Sequence, residues 1–177
     1  MVSENPAATL TLRLLPDADL EQAEQLAAVM TPEVLLAGDP VIEQGASSAG
    51  LWFVREGRLS VEVDGGAGPV QVATIEPGHW VGEVSLLNPG PASATVRAAE
   101  PCELWHLTPE ALDQLRVDAP LVALDMLQTL SRDLVERIRA TDHHLRDRLG
   151  VPHPEDAPTG WFGGALKRLF GAEGGPA

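Results

Sequence analysis

The residues of this chain that could contact a ligand gather between positions 81 and 97, where a Gly-Glu pair is followed by a short apolar turn, a proline and a β-prone run. Gly82 has no Cβ, so its backbone can come close to a neighbouring group. Glu83 follows at the predicted start of a short helical turn over 83–87, where the helix dipole stabilises a carboxylate. Ser93 adds a hydroxyl beyond the proline. These residues could contact a ligand. Alternatively, Glu83 only caps the helical turn and Ser93 is only a polar residue of a strand.

Short β-prone runs surround this stretch and alternate with Gly, Pro and Asp turns from residue 33 to residue 107. Between two of the runs, Asp64-Gly65-Gly66 is typical of a hairpin turn because glycine tolerates positive φ. Strands this short and this regularly spaced predict a sandwich or a barrel. The predicted strands cover residues 40–42, 51–54, 59–63, 70–75, 94–96 and 103–107.

Helical patterns flank the β-prone region. Before it, apolar residues at helical spacing predict an amphipathic helix over 18–30, with Asp17 as its N-cap. After it, Thr108 and Pro109 form a typical helix start, and this helix should end near Val117.

A further, long helix is predicted from Pro120 to just before Gly150, because no strong breaker interrupts the pattern. Its apolar residues include pairs 11 positions apart, close to three helical turns, so they form a stripe along one face. Either the stripe joins two copies of the chain, or only its first half packs and its second half is a charged surface. Because the stripe continues through Leu149, we predict a homodimer through residues 120–149. The stripe consists of Leu127, Leu130, Leu134, Ile138, Leu145 and Leu149.

Residues 81–97 resemble the phosphate-binding cassette of cyclic nucleotide-binding domains, whose pattern reads roughly Phe-Gly-Glu-Leu-Ala-Leu, a spacer, then Pro-Arg-Ala-Ala-Thr-Val. Segments 37–45, 51–59 and 75–83 resemble other motifs of that family, in the same order and at the same spacing. The resemblance covers roughly residues 33–139. It implies a mainly β fold with flanking α-helices, namely an eight-stranded jelly-roll β-barrel followed by a long C-terminal helix. The chain resembles the sensor half of bacterial catabolite-activator-type regulators, without their DNA-binding half.

The resemblance also implies roles for five residues in binding a cyclic nucleotide. Gly82 and the backbone amides that follow it, including that of Val84, would approach the cyclic phosphate as helix N-termini approach anions. Glu83 would accept a hydrogen bond from the ribose 2′-hydroxyl, and Ser93 would donate one to the phosphate. Ala92 stands where the family places the Arg that pairs with the phosphate. The implied ligand is cAMP or another cyclic nucleotide, and no cofactor is required.

The replacement of that Arg by Ala92 predicts weak binding. Removing one charged partner from a partly dry site typically costs about 2–5 kcal/mol, and about 3 kcal/mol corresponds to roughly a hundredfold in affinity. Arg97 lies an odd number of residues further on and should face the other way. Arg55 and Arg58 flank a hairpin glycine and are predicted to be solvated. Arg132, on the long helix, is a further candidate for a substitute cation.

Composition and charge exclude several other functions. Twelve Lys and Arg stand against 26 Asp and Glu, a net charge of −14, which repels a phosphate backbone, so we predict no nucleic-acid partner. The histidines lack a metal-ligand spacing and no nucleophile motif is present, so we predict neither a metal site nor an enzyme. The single cysteine, Cys102, is predicted to be a small buried hydrophobe. The N-terminus lacks the features of a secretory signal and no apolar run could span a membrane, so a cytoplasmic protein is expected.

The pattern divides the chain into an N-terminal segment and helix over 1–32, a domain with its long helix over 33–149, and a terminal region over 150–177. The terminal region begins with a Pro- and Gly-rich linker. It continues with an amphipathic segment that could pack on its own domain, dock on a protein partner or lie on a membrane surface. The docking residues of this segment would be Trp161, Phe162, Leu166, Leu169 and Phe170.

Two functions fit these observations. In the first, the chain is a regulatory or interaction module in which the usual nucleotide binding is weakened or lost. In the second, it is a working cyclic-nucleotide sensor that signals to a partner protein. Ala92, the acidic composition and the terminal segment favour the first, whereas Gly82, Glu83 and Ser93 favour the second.

Overall fold

The computed structural model describes residues 13–48 and 50–150. Their strands are short and pair antiparallel throughout. In chain order the strands are β1 (Thr31–Leu35), β2 (Pro40–Ile42), β3 (Ser47–Ser48), β4 (Leu51–Glu56), β5 (Leu59–Asp64), β6 (Pro69–Ile75), β7 (Trp80–Val81), β8 (Gly90–Pro91), β9 (Thr95–Ala98) and β10 (Cys102–Leu107).

The strands form two four-stranded sheets, with the orders β1-β10-β4-β7 and β2-β9-β5-β6, and a small ladder of β3 with β8. The order jumps between strands that are distant in the chain, as in a jelly roll. The mainly β, jelly-roll-like class that the sequence predicts is therefore confirmed. The ladders run as separate sheets rather than as one closed barrel.

The core has two clusters, one on each face of the first sheet. Strand β4 shows why, because its four consecutive apolar residues alternate between the faces. Leu51 and Phe53 belong to the cluster that also contains helix residues. Trp52 and Val54 belong to the cluster that β2, β5 and β9 complete. A strand that is buried on both faces has a continuously apolar sequence, as β4 has.

The hairpin that joins β5 to β6 forms at the predicted turn. Asp64 pairs with Pro69, and the carboxylate of Asp64 accepts hydrogen bonds from the backbone N–H groups of Gly66 (2.7 Å) and Gly68 (3.2 Å). Among the strands that the structure describes, β6 forms one edge of its sheet. Its residues are exposed from Pro69 to Thr74, and none of its seven residues is charged.

Four helices accompany the sheets in the described residues: α1 (Leu20–Val29), α2 (Glu83–Leu87), α3 (Pro109–Asp118) and α4 (Pro120–Leu149). All four helices are predicted from the sequence, but the N-cap of α1 is not Asp17 as predicted. Asp19 caps it, since its carboxylate accepts from the backbone N–H of Gln22 (2.9 Å) and the Gln22 side chain accepts from that of Asp19 (3.0 Å). This reciprocal pair is a capping box. Thr108 caps α3 as predicted.

Helix α4 is one continuous helix of 30 residues, yet the chain divides into two compact units between Leu130 and Ser131. In the first unit, four residues of α4 are buried in the core cluster that contains Leu51 and Phe53, namely Val122, Ala123, Met126 and Leu130. In the second unit, Leu134 is half-buried, and four large apolar side chains of the helix are exposed, namely Val135, Ile138, Leu145 and Leu149. The predicted domain boundaries at 33 and 150 stay predictions.

Three tryptophans and the cysteine of the described residues are buried, and the burial of Cys102 agrees with the sequence analysis. Trp52, Trp80 and Trp105 are buried. Cys102 is 2% exposed, its thiol donates to the backbone oxygens of Glu100 (3.0 Å) and Arg58 (3.2 Å), and burial raises its pKa. A thiol in this state is a poor nucleophile at neutral pH. Among residues 13–48 and 50–150, no helix has the length and apolar character that crossing a membrane requires.

Candidate functional site

A cavity of about 300 Å³ opens beside α2, and it is the place where the predicted site residues meet. Helix α2, the segment from β8 to β9, and strands β2, β5 and β7 contribute its walls. Its volume lies at the lower end of the range for small-molecule sites. The cavity is lined by Ile42, Val61, Val81, Gly82, Glu83, Val84, Ser85, Asn88, Gly90, Pro91, Ala92, Ser93, Ala94 and Val96.

Gly82 holds the entrance of α2 in a conformation that suits glycine. Its φ is +95°, in the left-handed region that L side chains rarely adopt. A Cβ at this position would stand 2.2 Å from the backbone oxygen of Gly50 and 3.0 Å from the ring of Trp52. The predicted close approach to Gly82 is therefore present, but the groups that approach it here belong to the protein itself, namely the backbone of Gly50 and the ring of Trp52.

Glu83 is the first residue of α2 and is 5% exposed. Its position in the first turn agrees with the predicted stabilisation by the helix dipole. The helix closes with a hydrogen bond from Leu86 N–H to Gly82 oxygen (3.0 Å). Intrahelical bonds of this kind leave the N–H groups of the preceding residues, including Val84 and Ser85, without helical acceptors.

Ala92 also lines the cavity, and its backbone is held by hydrogen bonds within the fold. Its N–H donates to Ala46 oxygen (2.9 Å), and its own oxygen accepts from Gly45 N–H (2.8 Å). Its methyl group packs against the core cluster that contains Trp52 and Val54. Ser93 follows it in the lining and is exposed. All five predicted site residues, Gly82, Glu83, Val84, Ala92 and Ser93, therefore line one cavity.

No cationic side chain belongs to the lining of this cavity among the described residues. Arg97 is not part of it, and its guanidinium reaches toward Gly38 oxygen at 3.5 Å. Arg55 pairs with the carboxylates of Glu103 and Glu56. Arg132 lies in the second unit. The structure thus describes no substitute for the missing Arg within the first unit.

Arg58 is also paired with an acid rather than simply solvated as predicted. Its guanidinium donates two hydrogen bonds to the carboxylate of Glu100, at 3.0 and 3.1 Å. These bonds lower the pKa of Glu100 below its usual value. Both side chains are substantially exposed, so this pair contributes little to stability.

The sequence analysis missed most of the apolar and amide wall of the cavity. Ile42, Val61 and Val96 come from three strands, and Asn88 follows α2. The period-two pattern indicates that alternate residues share a face. It does not indicate which strands stand opposite one another, so the wall could not be assembled from sequence alone.

A stacked aromatic pair, one buried ring and one half-buried ring, lies next to Gly82 at the entrance of α2. The ring of Trp52, which limits the space at Gly82, stacks on His106 with centroids 4.3 Å apart and an interplanar angle of 8°. Nδ1 of His106 lies 2.9 Å from a carboxylate oxygen of Glu33. The described residues contain no cluster of His, Cys, Asp and Glu that could hold a metal ion.

The comparisons with known proteins agree with this geometry. Residues 32–118 match the family model described as "Cyclic nucleotide-binding domain". The cavity lining runs from residue 42 to residue 96 and so lies entirely within the match.

Curated relatives match over part of their length. The chain is 36% identical over 92 residues to Acetyltransferase Pat of Mycolicibacterium smegmatis, which covers 52% of this chain and 28% of the relative. It is 27% identical over 128 residues to potassium/sodium hyperpolarization-activated cyclic nucleotide-gated channel 3 of Rattus norvegicus, which covers 72% of this chain and 16% of the channel. The chain therefore spans less than a third of either relative.

A solved structure extends the likeness to most of the chain. The Thermus thermophilus catabolite activator protein superposes with a TM-score of 0.68 at 29% sequence identity. The superposition covers 77% of this chain and 62% of that protein.

Proposed function

The chain belongs, over residues 32–118, to the cyclic nucleotide-binding domain family, and from this we propose that it is a regulatory or interaction module with weakened binding of cyclic nucleotides. The observation that carries the proposal is the lining of the cavity. It retains Gly82, Glu83 and Ser93, but Ala92 stands where the family places the phosphate-binding Arg, and no cationic side chain of residues 13–48 and 50–150 belongs to the lining. A phosphate diester that enters this cavity would lose hydration and find no opposite charge.

The proposed output is a protein contact rather than a reaction. A homodimer through residues 120–149 would cover the exposed apolar side chains of the second half of α4. The terminal residues Trp161, Phe162, Leu166, Leu169 and Phe170 lie outside the described residues, and their docking to a protein partner or a membrane surface is part of the proposal. We place the protein in the cytoplasm and assign it no enzymatic activity and no nucleic-acid partner.

Calorimetric titration with cAMP, cGMP, cCMP and cUMP tests the proposal. The wild type should bind all four weakly, and Ala92→Arg should bind at least one of them about a hundredfold more tightly, because a charge-assisted partner in a partly dry site is worth about 2–5 kcal/mol. Ala99→Arg is the matched control. Ala99 is exposed and outside the lining, so this variant adds the same charge away from the cavity and should leave affinity unchanged.

The second candidate function is a working cyclic-nucleotide sensor. It is favoured by the fact that Gly82, Glu83 and Ser93 still face one cavity. Micromolar binding by the wild type, with no gain in Ala92→Arg, would establish this function and refute weakened binding.

A further inference from the structure

A groove of about 330 Å³, which we call the helix groove, is lined by the first turns of α1 and α4. Helix α1 contributes Glu21 and Gln25, and α4 contributes Leu121 and Val122. Val122 is buried in the same core cluster as Leu26 of α1, so the core holds the two helices together beneath the groove. All of these residues belong to the first unit.

The α4 side of the helix groove is apolar and uncovered. Leu121 is 68% exposed, and Leu124, which follows it on the helix surface at a spacing of three residues, is 50% exposed. A single exposed leucine would need no explanation. Two neighbouring leucines beside a groove form a surface on which an amphipathic segment can place its apolar side chains.

The helix groove is also negatively charged. Asp19 and Glu21 belong to its lining, and Glu21 is exposed. Residues 14–54 and 117–131, which include both sides of the groove, contain no Lys or Arg. The groove should therefore attract a segment that carries positive charge and repel an acidic one.

The terminal region of the chain, which follows the described residues, contains a segment with both properties. Leu166, Leu169 and Phe170 stand at spacings of three and four residues, the spacing with which helical segments enter apolar grooves. Lys167 and Arg168 stand among them, and they are the only Lys and Arg of the sequence after residue 148. This segment is thus complementary to the helix groove in charge and in apolar character.

We propose that the helix groove binds residues 161–170 of a second copy of the chain. The apolar side chains of the segment contact Leu121 and Leu124, and its two cations face Glu21. This inference rests on the proposed function, because it treats the segment as a docking element, and it identifies the protein partner as another copy of the same chain.

Fluorescence anisotropy with a labelled synthetic peptide of residues 159–172 tests the proposal. The receptor is the full chain with Lys167→Glu and Arg168→Glu, so that its own segment does not compete. The peptide should bind saturably. A peptide with the same two substitutions should bind about tenfold more weakly, because both attractive charges are reversed. Absence of saturable binding by the unaltered peptide would overturn the proposal.

Two pairs of receptor variants locate the binding site. Glu21→Lys and Leu121→Ser should each weaken peptide binding about fivefold. Glu110→Lys is the control for charge, since Glu110 is also exposed and in the first turn of a helix. Leu36→Ser is the control for apolar area, since Leu36 is 69% exposed. Circular dichroism establishes that each variant folds, and equal effects of a variant and its control would place the binding site elsewhere.

Cross-linking determines which copy supplies the segment. Full-chain Gln25→Cys and Ala165→Cys are mixed and treated with a short bismaleimide. Gln25 is exposed in the groove, whereas Cys102 is 2% exposed and should react slowly. A cross-linked pair of the two variants is expected. Cross-linking only within a single chain that carries both substitutions would place the segment on its own copy and refute the proposal.

The outcomes also distinguish this inference from the proposed function. If the peptide does not bind the receptor but sediments with phosphatidylglycerol vesicles, the inference fails and the proposed docking to a membrane surface stands. If the peptide binds neither the receptor nor the vesicles, the inference and the proposed docking of the segment both fail. The weakened binding of cyclic nucleotides is measured separately by calorimetry and can fail while the inference holds.

Discussion

Gly82 combines two constraints that separate variants can resolve. The first is its positive φ, which opposes any side chain, and the second is the space occupied by Gly50 and Trp52. Gly66 shares the first constraint, with a φ of +94°, but nothing lies within 4 Å of a Cβ built on it. The two glycines therefore differ chiefly in the contacts around them.

We predict that Gly82→Ala destabilises the fold more than Gly66→Ala does. The change at Gly66 should lower the free energy of unfolding by about 1–2 kcal/mol through backbone strain. The change at Gly82 should add roughly 1–3 kcal/mol, because the backbone of Gly50 and a buried ring must move. Urea denaturation of both variants measures the difference, and equal losses would show that the contact with Gly50 is relieved without strain.

At the same scale, the sequence predicts Gly82, Glu83 and Ser93 of the site but not most of the other lining residues. Gly82, Glu83 and Ser93 lie within twelve positions of one another, so a local motif identifies them. Ile42 and Val61 reach the cavity through sheet pairing that is set over long sequence separations. The ion pairs of Arg55 and Arg58 are non-local for the same reason.

Among the elements, α4 changes character along its length. Up to Leu130 one face of the helix is buried in the core, whereas Leu121 and Leu124 on the other face are exposed. Beyond Ser131, Ile138 and Leu145 are exposed by 60% and 55%. Isolated large hydrophobic residues on a surface need no explanation. A stripe that keeps its spacing over several turns is better explained by a second helix that covers it.

We predict that Ile138→Asp combined with Leu145→Asp converts a dimer into a monomer. Each substitution places a charge on the stripe, where a paired helix would have to bury it. Sedimentation velocity measures the change. Ala140→Asp is the control, because two positions along a helix correspond to about 200° around its axis and so to the opposite side from Ile138.

A wild type that sediments as a monomer at all accessible concentrations would rule out the dimer. Loss of the dimer in Ala140→Asp as well would instead indicate that added negative charge acts on the association regardless of its place on the helix.

The element boundaries were predictable where the chain gives a local signal. Thr108 with Pro109 marks the start of α3, and Asp64 with its glycines marks the β5–β6 hairpin. The misplaced cap of α1 arose because two aspartates stand near the start of this helix. Only Asp19 has Gln22 three residues later, which is the spacing that a capping box requires.

For the whole molecule, the sequence predicts the fold class but not how the sheets pair. The continuous apolar run of β4 indicates that both of its faces are buried, yet the pairing of β1 with β10 joins residues more than 65 positions apart. Such long-range partners are set by the packing of the entire core. The jelly-roll class could be predicted because the resemblance to the family implies the strand order of that fold.

The exposed edge of β6 has a consequence for how copies of the molecule meet. An uncharged edge strand with unpaired backbone groups invites another strand, and proteins usually guard such edges with charge. In this protein the protection comes from the charge of the whole molecule. A net charge of −14 makes copies of the protein repel one another at low ionic strength. Salt reduces the distance over which this repulsion acts, to about 10 Å at 0.1 M and about 3 Å at 1 M ionic strength.

We therefore predict that salt promotes strand-to-strand aggregation and that Val72→Lys suppresses it. Val72 is exposed at the centre of β6. Light scattering against salt concentration measures the onset, with Val117→Lys as the control, because Val117 is an exposed valine on α3. Equal suppression by both variants would assign the effect to net charge alone. Colloidal stability in this protein thus depends on the solution as well as on the fold, since its surface charge protects an edge that carries no charge of its own.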